Sequence, residues 1–185
     1  MGVDPSRVDY VRRWETTDGT ASETATVRFE NGGYIAEGFV DTHKVQYVIR
    51  LDEAWNVRQF LLFRDLDEPD LWLGTDGGGT WGEMNGVVRH ELNKCTDIDL
   101  ALSPLPNSLH LKKLNYLAVG EHGLLTVAVI DCETLELHRS VQRYTRLADR
   151  WWRHEGVGSG TSEEFGVDDE GFVIDYPGMF RRSID

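Results

Sequence analysis

Lysine and cysteine are scarce in this chain, and long apolar runs are missing. Only four of its 19 basic residues are lysines, and it has 2 cysteines in 185 residues. Cys95 and Cys132 are too far apart for a CxxC motif, so we expect two free thiols in a reducing compartment. No stretch approaches the roughly 18 apolar residues of a membrane-spanning helix. The stretch from residue 1 to residue 14 lacks the apolar centre of a secretory signal, so we expect a cytoplasmic protein without a transmembrane segment.

The charge is strongly acidic, at −13, with 32 Asp and Glu residues spread along the chain. Phosphate backbones are bound by basic stripes, so nucleic acid is excluded as the main partner. Dispersed acidity with few lysines is typical of proteins adapted to high salt, where self-repulsion is screened. The alternative is an ordinary acidic, arginine-rich cytosolic protein.

Patterns typical of β-strands dominate the sequence. Alternating or β-branched runs are separated by turn residues about every 8 to 12 positions, which indicates a barrel, roll or sandwich. Asn31-Gly32-Gly33 is a tight-turn signal, and Asp76-Gly77-Gly78-Gly79 is another. The predicted strands are Thr24–Phe29, Tyr34–Val40, Val45–Leu51, Val57–Phe63, Leu71–Leu73, Val87–Leu92, Leu124–Ile130, Leu135–Leu147, Trp151–His154 and Phe172–Tyr176.

One segment has helical periodicity instead. After Asn107, apolar residues recur at Leu111, Leu114, Leu117 and Ala118, with the spacing of a 3.6-residue turn. We predict one short helix here, capped by Asn107 or Ser108 and ended by Gly120. The rival interpretation is a pair of strands, because residues 109–111 also alternate.

The length fits a single domain over residues 1–185, with a faint internal repeat. Val45–Trp55 aligns with Val141–Trp151 without gaps, with five identities in eleven positions. Repeats of this kind indicate duplication. We therefore consider two halves, about 1–93 and 118–185, joined by residues 94–117, and a joint between two sheets is a natural place for a cleft.

Residues 94–100 carry the most unusual chemistry. On a strand, Asp97 and Asp99 would point the same way, where they could bind a cation or form an acid–base pair with Cys95 nearby. The alternative is a turn in which each aspartate accepts backbone N–H groups. The six histidines stand singly, with no zinc spacing, and Ser103 is not in a GxSxG motif. We assign no catalytic residue, no metal site and no cofactor.

Four further polar residues are candidates for ligand contact. Lys112 and Lys113 lie about 100° apart on the predicted helix, so at least one can reach solvent or a cleft. Gln142 and Tyr144 share one face of a predicted strand, where either could line a cavity. With Asn107, Lys112 and these two strand residues, the candidate ligand-binding set is Asp97, Asp99, Asn107, Lys112, Gln142 and Tyr144.

A series of short motifs runs in order along most of the chain. They are Asp76-Gly77-x-Gly79-x-Trp81, Cys95–Leu100, Ser103-Pro104, Asn107–Leu109, the basic pair before Leu114, Gln142-x-Tyr144, Gly166–Asp168 and Gly171–Pro177. Together they resemble a family of bacterial and archaeal proteins described as "putative glycolipid-binding", although the family pattern has arginines where Lys112 and Lys113 stand. The resemblance implies a mainly β fold, a spiral β-roll or barrel-like antiparallel sheet wrapped around one short helix, similar to the half-barrels of periplasmic lipoprotein carriers.

Three functional hypotheses follow. The first is a non-enzymatic protein that binds a lipid-like or glycolipid ligand in an apolar cleft of the β-roll. The second is a small enzyme that uses Asp97 and Asp99, with Cys95 as an optional third group. The third is a protein-interaction module with an exposed sheet edge or apolar patch as its contact. The sequence leaves the oligomeric state open.

Overall fold

A single open sheet of fourteen strands accounts for most of the chain in a computed structural model, which describes residues 9–65 and 67–183. The sheet rolls around one α-helix, α1 (Leu105–Lys113), so the predicted mainly β fold is confirmed. The strands are β1 (Tyr10–Thr16), β2 (Ser22–Glu30), β3 (Gly33–Val40), β4 (Val45–Asp52), β5 (Val57–Phe63), β6 (Leu71–Thr75), β7 (Trp81–Glu83), β8 (Asp97–Leu100), β9 (His122–Ile130), β10 (Leu137–Ala148), β11 (Trp151–Gly156), β12 (Ser162–Val167), β13 (Val173–Tyr176) and β14 (Phe180–Arg182).

The strand order is simple. Strands β1 to β7 lie side by side in chain order, and β14 to β8 continue from β1 in the opposite direction. The two halves of the sheet therefore meet where β1 pairs with β14, and β7 and β8 lie at the two ends of the strand order. Alternation in the sequence explains the core: in β4, Val45, Tyr47, Ile49 and Leu51 are buried and face inward.

The predicted turn at Asn31-Gly32 is confirmed. Both residues have positive φ, at 53° and 77°, and they join β2 to β3 as a two-residue hairpin loop. Asparagine and glycine adopt this conformation at the lowest cost, and its twist matches that of the flanking strands.

The prediction of a strand over Val87–Leu92 is wrong, because a 3-10 helix (His90–Leu92) occupies the second half of this segment.

One pair of neighbouring strands departs from the expected antiparallel pattern. Strands β8 and β9 are parallel, with Asp97 opposite Val127 and Leu100 opposite Ile130. Parallel neighbours need a crossover connection, and residues 101–121, which include α1, supply it. The helix in this crossover therefore lies within residues 94–117, the segment predicted to join the two halves of the chain.

The helix begins earlier and ends earlier than its periodicity predicts. Pro104 is its N-cap residue, and the Ser103 hydroxyl accepts the N–H of Leu105 at 3.0 Å. Asn107 and Ser108 are not caps, because both side chains have tertiary partners inside the roll. Every residue from Leu105 to Leu111 is buried, so the sheet encloses most of the helix surface.

A turn follows downstream of each copy of the proposed repeat, and the two turns share a hydrogen-bond pattern. Asp76 Oδ1 accepts the N–H groups of Gly78 and Thr80, and Asp168 Oδ1 accepts those of Glu170 and Phe172. Asp76 directly follows β6, and Asp168 directly follows β12. Each of these strands is the second one after the strand in which its copy of the repeat begins. The duplication stays a prediction.

No helix within residues 9–65 and 67–183 is long and apolar enough to cross a membrane. The predicted absence of a secretory signal concerns the N-terminal residues, of which 1–8 lie outside the described part of the chain.

Candidate functional site

The side chain of Tyr144 is the centre of a buried polar network. Its hydroxyl lies 2.7 Å from Asn107 Oδ1 and 3.0 Å from Gln142 Oε1, and it contacts His110 Nδ1 at 2.8 Å. All four side chains are at most 7% exposed. Helix α1 supplies Asn107 and His110, and β10 supplies Gln142 and Tyr144, so the network joins the helix to the sheet.

The hydrogen bonds define the tautomer of His110. Its Nε2 lies 2.9 Å from the Ile98 carbonyl, which can only accept, so Nε2 carries a hydrogen. Burial lowers the pKa of His110, which keeps the ring neutral and makes Nδ1 an acceptor. Tyr144 then has one hydroxyl hydrogen facing three acceptors, and burial raises its pKa well above the ordinary value. The network therefore depends on this phenol staying protonated.

The two candidate aspartates have different environments. Asp97 is buried, and its carboxylate binds Lys113 Nζ at 2.8 and 3.1 Å and the Thr96 hydroxyl at 2.6 Å. Asp99 is half-buried and accepts a hydrogen bond from Gln142. Burial raises the pKa of the nearby Cys95 to about 11, so this residue is a thiol at neutral pH. These contacts favour a structural role for Asp97.

Lys112 lies apart from the other five candidates. Its ammonium donates to the Glu170 carbonyl and lies 4.7 to 5.6 Å from the ring centroids of Phe172, Tyr10 and Trp55. It borders a cleft of about 500 Å3 whose lining includes Arg146, Asp168 and Glu170. Burial lowers the pKa of Lys112. Most charged side chains of this cleft have an ion-pair partner, either within its lining or at the neighbouring Arg12.

A second cavity, of about 270 Å3, lies at the N-terminal end of α1. We call it the N-terminal pocket. Apolar side chains make up half of its lining, and two of the candidates, Asp99 and Asn107, also border it. Gln142 and Tyr144 lie behind these two, since they hold Asp99 and Asn107 in place. The lining residues are Asp99, Leu100, Ala101, Ser103, Pro104, Asn107, His154, Thr161, Glu163, Tyr176, Met179 and Phe180.

Several polar atoms of the N-terminal pocket lack protein partners. Within the described chain, no hydrogen bond involves Asn107 Nδ2, although the residue is only 7% exposed. His154 Nδ1 is hydrogen-bonded to the Tyr176 hydroxyl at 2.7 Å, while its buried Nε2 has no partner within residues 9–65 and 67–183. Glu163 lies directly across from His154 on the neighbouring strand. The pocket thus has unsatisfied donors and acceptors that point to a polar ligand group.

Comparison with known proteins gives a family. A sequence family described as "Putative glycolipid-binding" matches residues 11–182. This chain belongs to that family. A crystal structure of a DUF1089 family protein from Pseudomonas aeruginosa is similar, at 25% identity and a TM-score of 0.70, and the match covers 99% of this chain and 95% of that one. No curated protein matched.

The sequence analysis of this family member did not predict His154, Tyr176 and Glu163 as residues of the pocket. A signal was present, because a hairpin at residues 149–150 brings the strand that contains Tyr144 beside the one that contains His154. Simple counting across that hairpin would pair Tyr144 with Glu155, however. A bulge between Arg146 and Ala148 shifts the register by one, so Tyr144 lies opposite His154.

Sequence reasoning also missed a buried acid beneath the N-terminal pocket. Glu23 is 1% exposed, and its Oε1 accepts from the Tyr47 hydroxyl and, at 2.7 Å, from Ser103. Its Oε2 has no partner in the described part of the chain. Burial raises the pKa of Glu23 to about 7. The signal was its position in β2, where it alternates with the inward-facing Ala25 and Val27.

Proposed function

We propose that this protein is a non-enzymatic binding protein for a lipid-like ligand with a hydroxylated head, of the glycolipid class, and that the head occupies the N-terminal pocket. The observation that carries the proposal is the group of unsatisfied polar atoms inside a half-apolar cavity. Asn107 Nδ2 offers a donor, Asp99 an acceptor, and His154 Nε2 an unpartnered ring nitrogen. The family description supports the same class of ligand.

The shape of the pocket indicates which part of the ligand it holds. Its volume of about 270 Å3 lies at the lower end of the range for ligand sites, so it suits a head group or a short part of a chain. The polar residue Asn107 is buried, whereas Met179 is 43% exposed and Ala101 is also exposed. We therefore propose that the head enters first and that the apolar part lies against Met179 and Ala101.

The helix itself argues against an internal lipid chain. Leu105, Leu109 and Leu111 fill the concave side of the sheet and are at most 4% exposed. The fully buried tryptophans Trp14 and Trp81 donate their indole N–H groups to the carbonyls of Val173 and Cys95. These side chains are core, so the ligand's apolar body has to lie at the rim.

A blocking substitution tests the proposal. Ala101→Trp places a large ring at the exposed edge of the N-terminal pocket, and Asn115→Trp does the same at the edge of the cleft beside Lys112. We expect wild type and Asn115→Trp to bind n-octyl β-glucoside below its micelle concentration, and Ala101→Trp to lose binding, by isothermal titration calorimetry.

Thermal unfolding of both variants controls for misfolding. Native mass spectrometry of detergent-free protein provides an independent readout, since a bound endogenous ligand adds mass to the chain. Undiminished binding in Ala101→Trp, or no binding by the wild-type protein, contradicts the proposal.

A further inference from the structure

We infer that the N-terminal pocket selects its ligand by charge: it accepts uncharged hydroxylated or cationic amine heads and rejects anionic ones such as phosphate. The inference rests on the proposed function and names the ligand class of the same site. Its basis is the balance of charged groups that face the cavity.

Two carboxylates border the pocket without a cationic partner. Asp99 accepts only an amide hydrogen bond from Gln142, and Glu163 has no ion pair or hydrogen bond in the described chain. Neither lysine nor arginine occurs among the described residues that line the cavity. Asp97 differs, since Lys113 neutralises it.

The carboxylates act on the other polar groups of the pocket. Burial lowers the pKa of His154, and the charge of Asp99 opposes this shift. Burial raises the pKa of Tyr176 well above its ordinary value, so the phenol stays protonated, and the charges of Asp99 and Glu163 act in the same direction. At neutral pH the pocket therefore has two negative charges, a neutral imidazole and a neutral phenol.

The N-terminus of α1 does not reverse this balance. Helix N-termini favour anions through their free N–H groups. Here Pro104 and Pro106 have no N–H, and that of Leu105 is bonded to Ser103. The Glu23 carboxyl already contacts Ser103 from the other side. An anion in the pocket would thus meet like charge with few backbone donors to offset it.

Three probes with the same alkyl chain separate the effect of head charge from that of the apolar chain. They are n-octyl β-glucoside, n-octylammonium and n-octyl phosphate, each titrated into the full chain at neutral pH below its micelle concentration. We expect the first two to bind and the phosphate to bind at least about tenfold more weakly, because like charges at contact distance repel. Added salt should narrow this gap through screening.

A charge-removing variant assigns the effect to the pocket. Glu163→Gln should raise the affinity for octyl phosphate relative to that for octyl glucoside by about threefold or more. Glu136→Gln makes the same charge change at an exposed site outside the pocket lining and should leave both affinities unchanged.

The outcomes are distinguishable. Octyl phosphate binding as tight as octyl glucoside, or equal gains in both variants, overturns the charge selection and leaves the proposed function standing. Binding of none of the three probes overturns both.

Discussion

At the scale of the residue, Glu23 has an unfavourable environment for a charged group. A carboxylate removed from water requires partners for its oxygens, and among the described residues only Oε1 has them, from Tyr47 and Ser103. Burial outweighs these two hydrogen bonds and raises the pKa to about 7. The folded protein therefore holds a proton here that the unfolded chain releases at lower pH.

This difference predicts a pH-dependent stability. The folded pKa lies above the unfolded one, so the unfolding free energy contributed by Glu23 falls as pH rises from about 4.5 to about 7, by about 3 kcal/mol in total. The variant Glu23→Gln should lack this loss, and its stability relative to wild type should increase with pH across the same window.

Urea unfolding of both proteins across that pH range measures the effect. Taking the difference between the two proteins removes the opposite contributions of His110 and His154, whose lowered pKa values make the fold gain stability as pH rises. A difference that does not change with pH would refute the assignment.

At the scale of the element, strand β3 shows how one missing side chain makes room for another. A Cβ at Gly38 would lie 2.2 to 2.4 Å from atoms of the Tyr47 ring, whereas one at Gly74 in β6 would meet nothing within 4 Å. Tyr47 is 1% exposed and donates to Glu23. Gly38 therefore positions the ring that holds the buried acid.

The two glycines give a matched pair of substitutions. Gly38→Ala should lower the unfolding free energy by about 2 kcal/mol or more, because the Tyr47 ring has to move inside a packed core. Gly74→Ala should be neutral or stabilise by up to about 1 kcal/mol, since alanine is less costly than glycine within a strand. Chemical denaturation of both variants compares them, and equal effects would contradict the argument.

The bounds of the strands and the helix show how much of the fold the sequence predicted. Strand β5 has the predicted bounds of Val57–Phe63, and α1 falls in the predicted segment. Short strands such as β7 and β14, of three residues each, were missed. Such strands carry too little alternation to recognise, and their pairing is decided by the longer neighbours.

At the scale of the whole molecule, the charge of −13 is distributed over both halves of the sheet. Most of the ion pairs in the described chain involve arginine and lie at least partly in solvent, where each contributes little. Repulsion among the excess carboxylates is then the larger electrostatic effect, and it opposes the compact state.

We therefore predict that salt stabilises the protein. Raising potassium chloride from about 0.1 M to about 2 M should raise the melting temperature by several degrees near neutral pH, because the Debye length shortens from about 10 Å to a few Å. The shift should shrink near the sequence pI of about 4.8, where the net charge disappears. A melting temperature that falls with salt at neutral pH would contradict the salt-adapted interpretation.

The sequence by itself determined the fold class, the Asn31-Gly32 hairpin, the helix between residues 94 and 117, and the family, because these depend on local periodicity, turn chemistry and ordered motifs. The tertiary structure decided how the candidate residues group. It paired Asp97 with Lys113, separated Lys112 from Asn107, and brought His154 to the N-terminal pocket through a one-residue bulge. Register and crossover geometry depend on contacts between distant segments, which no local pattern encodes.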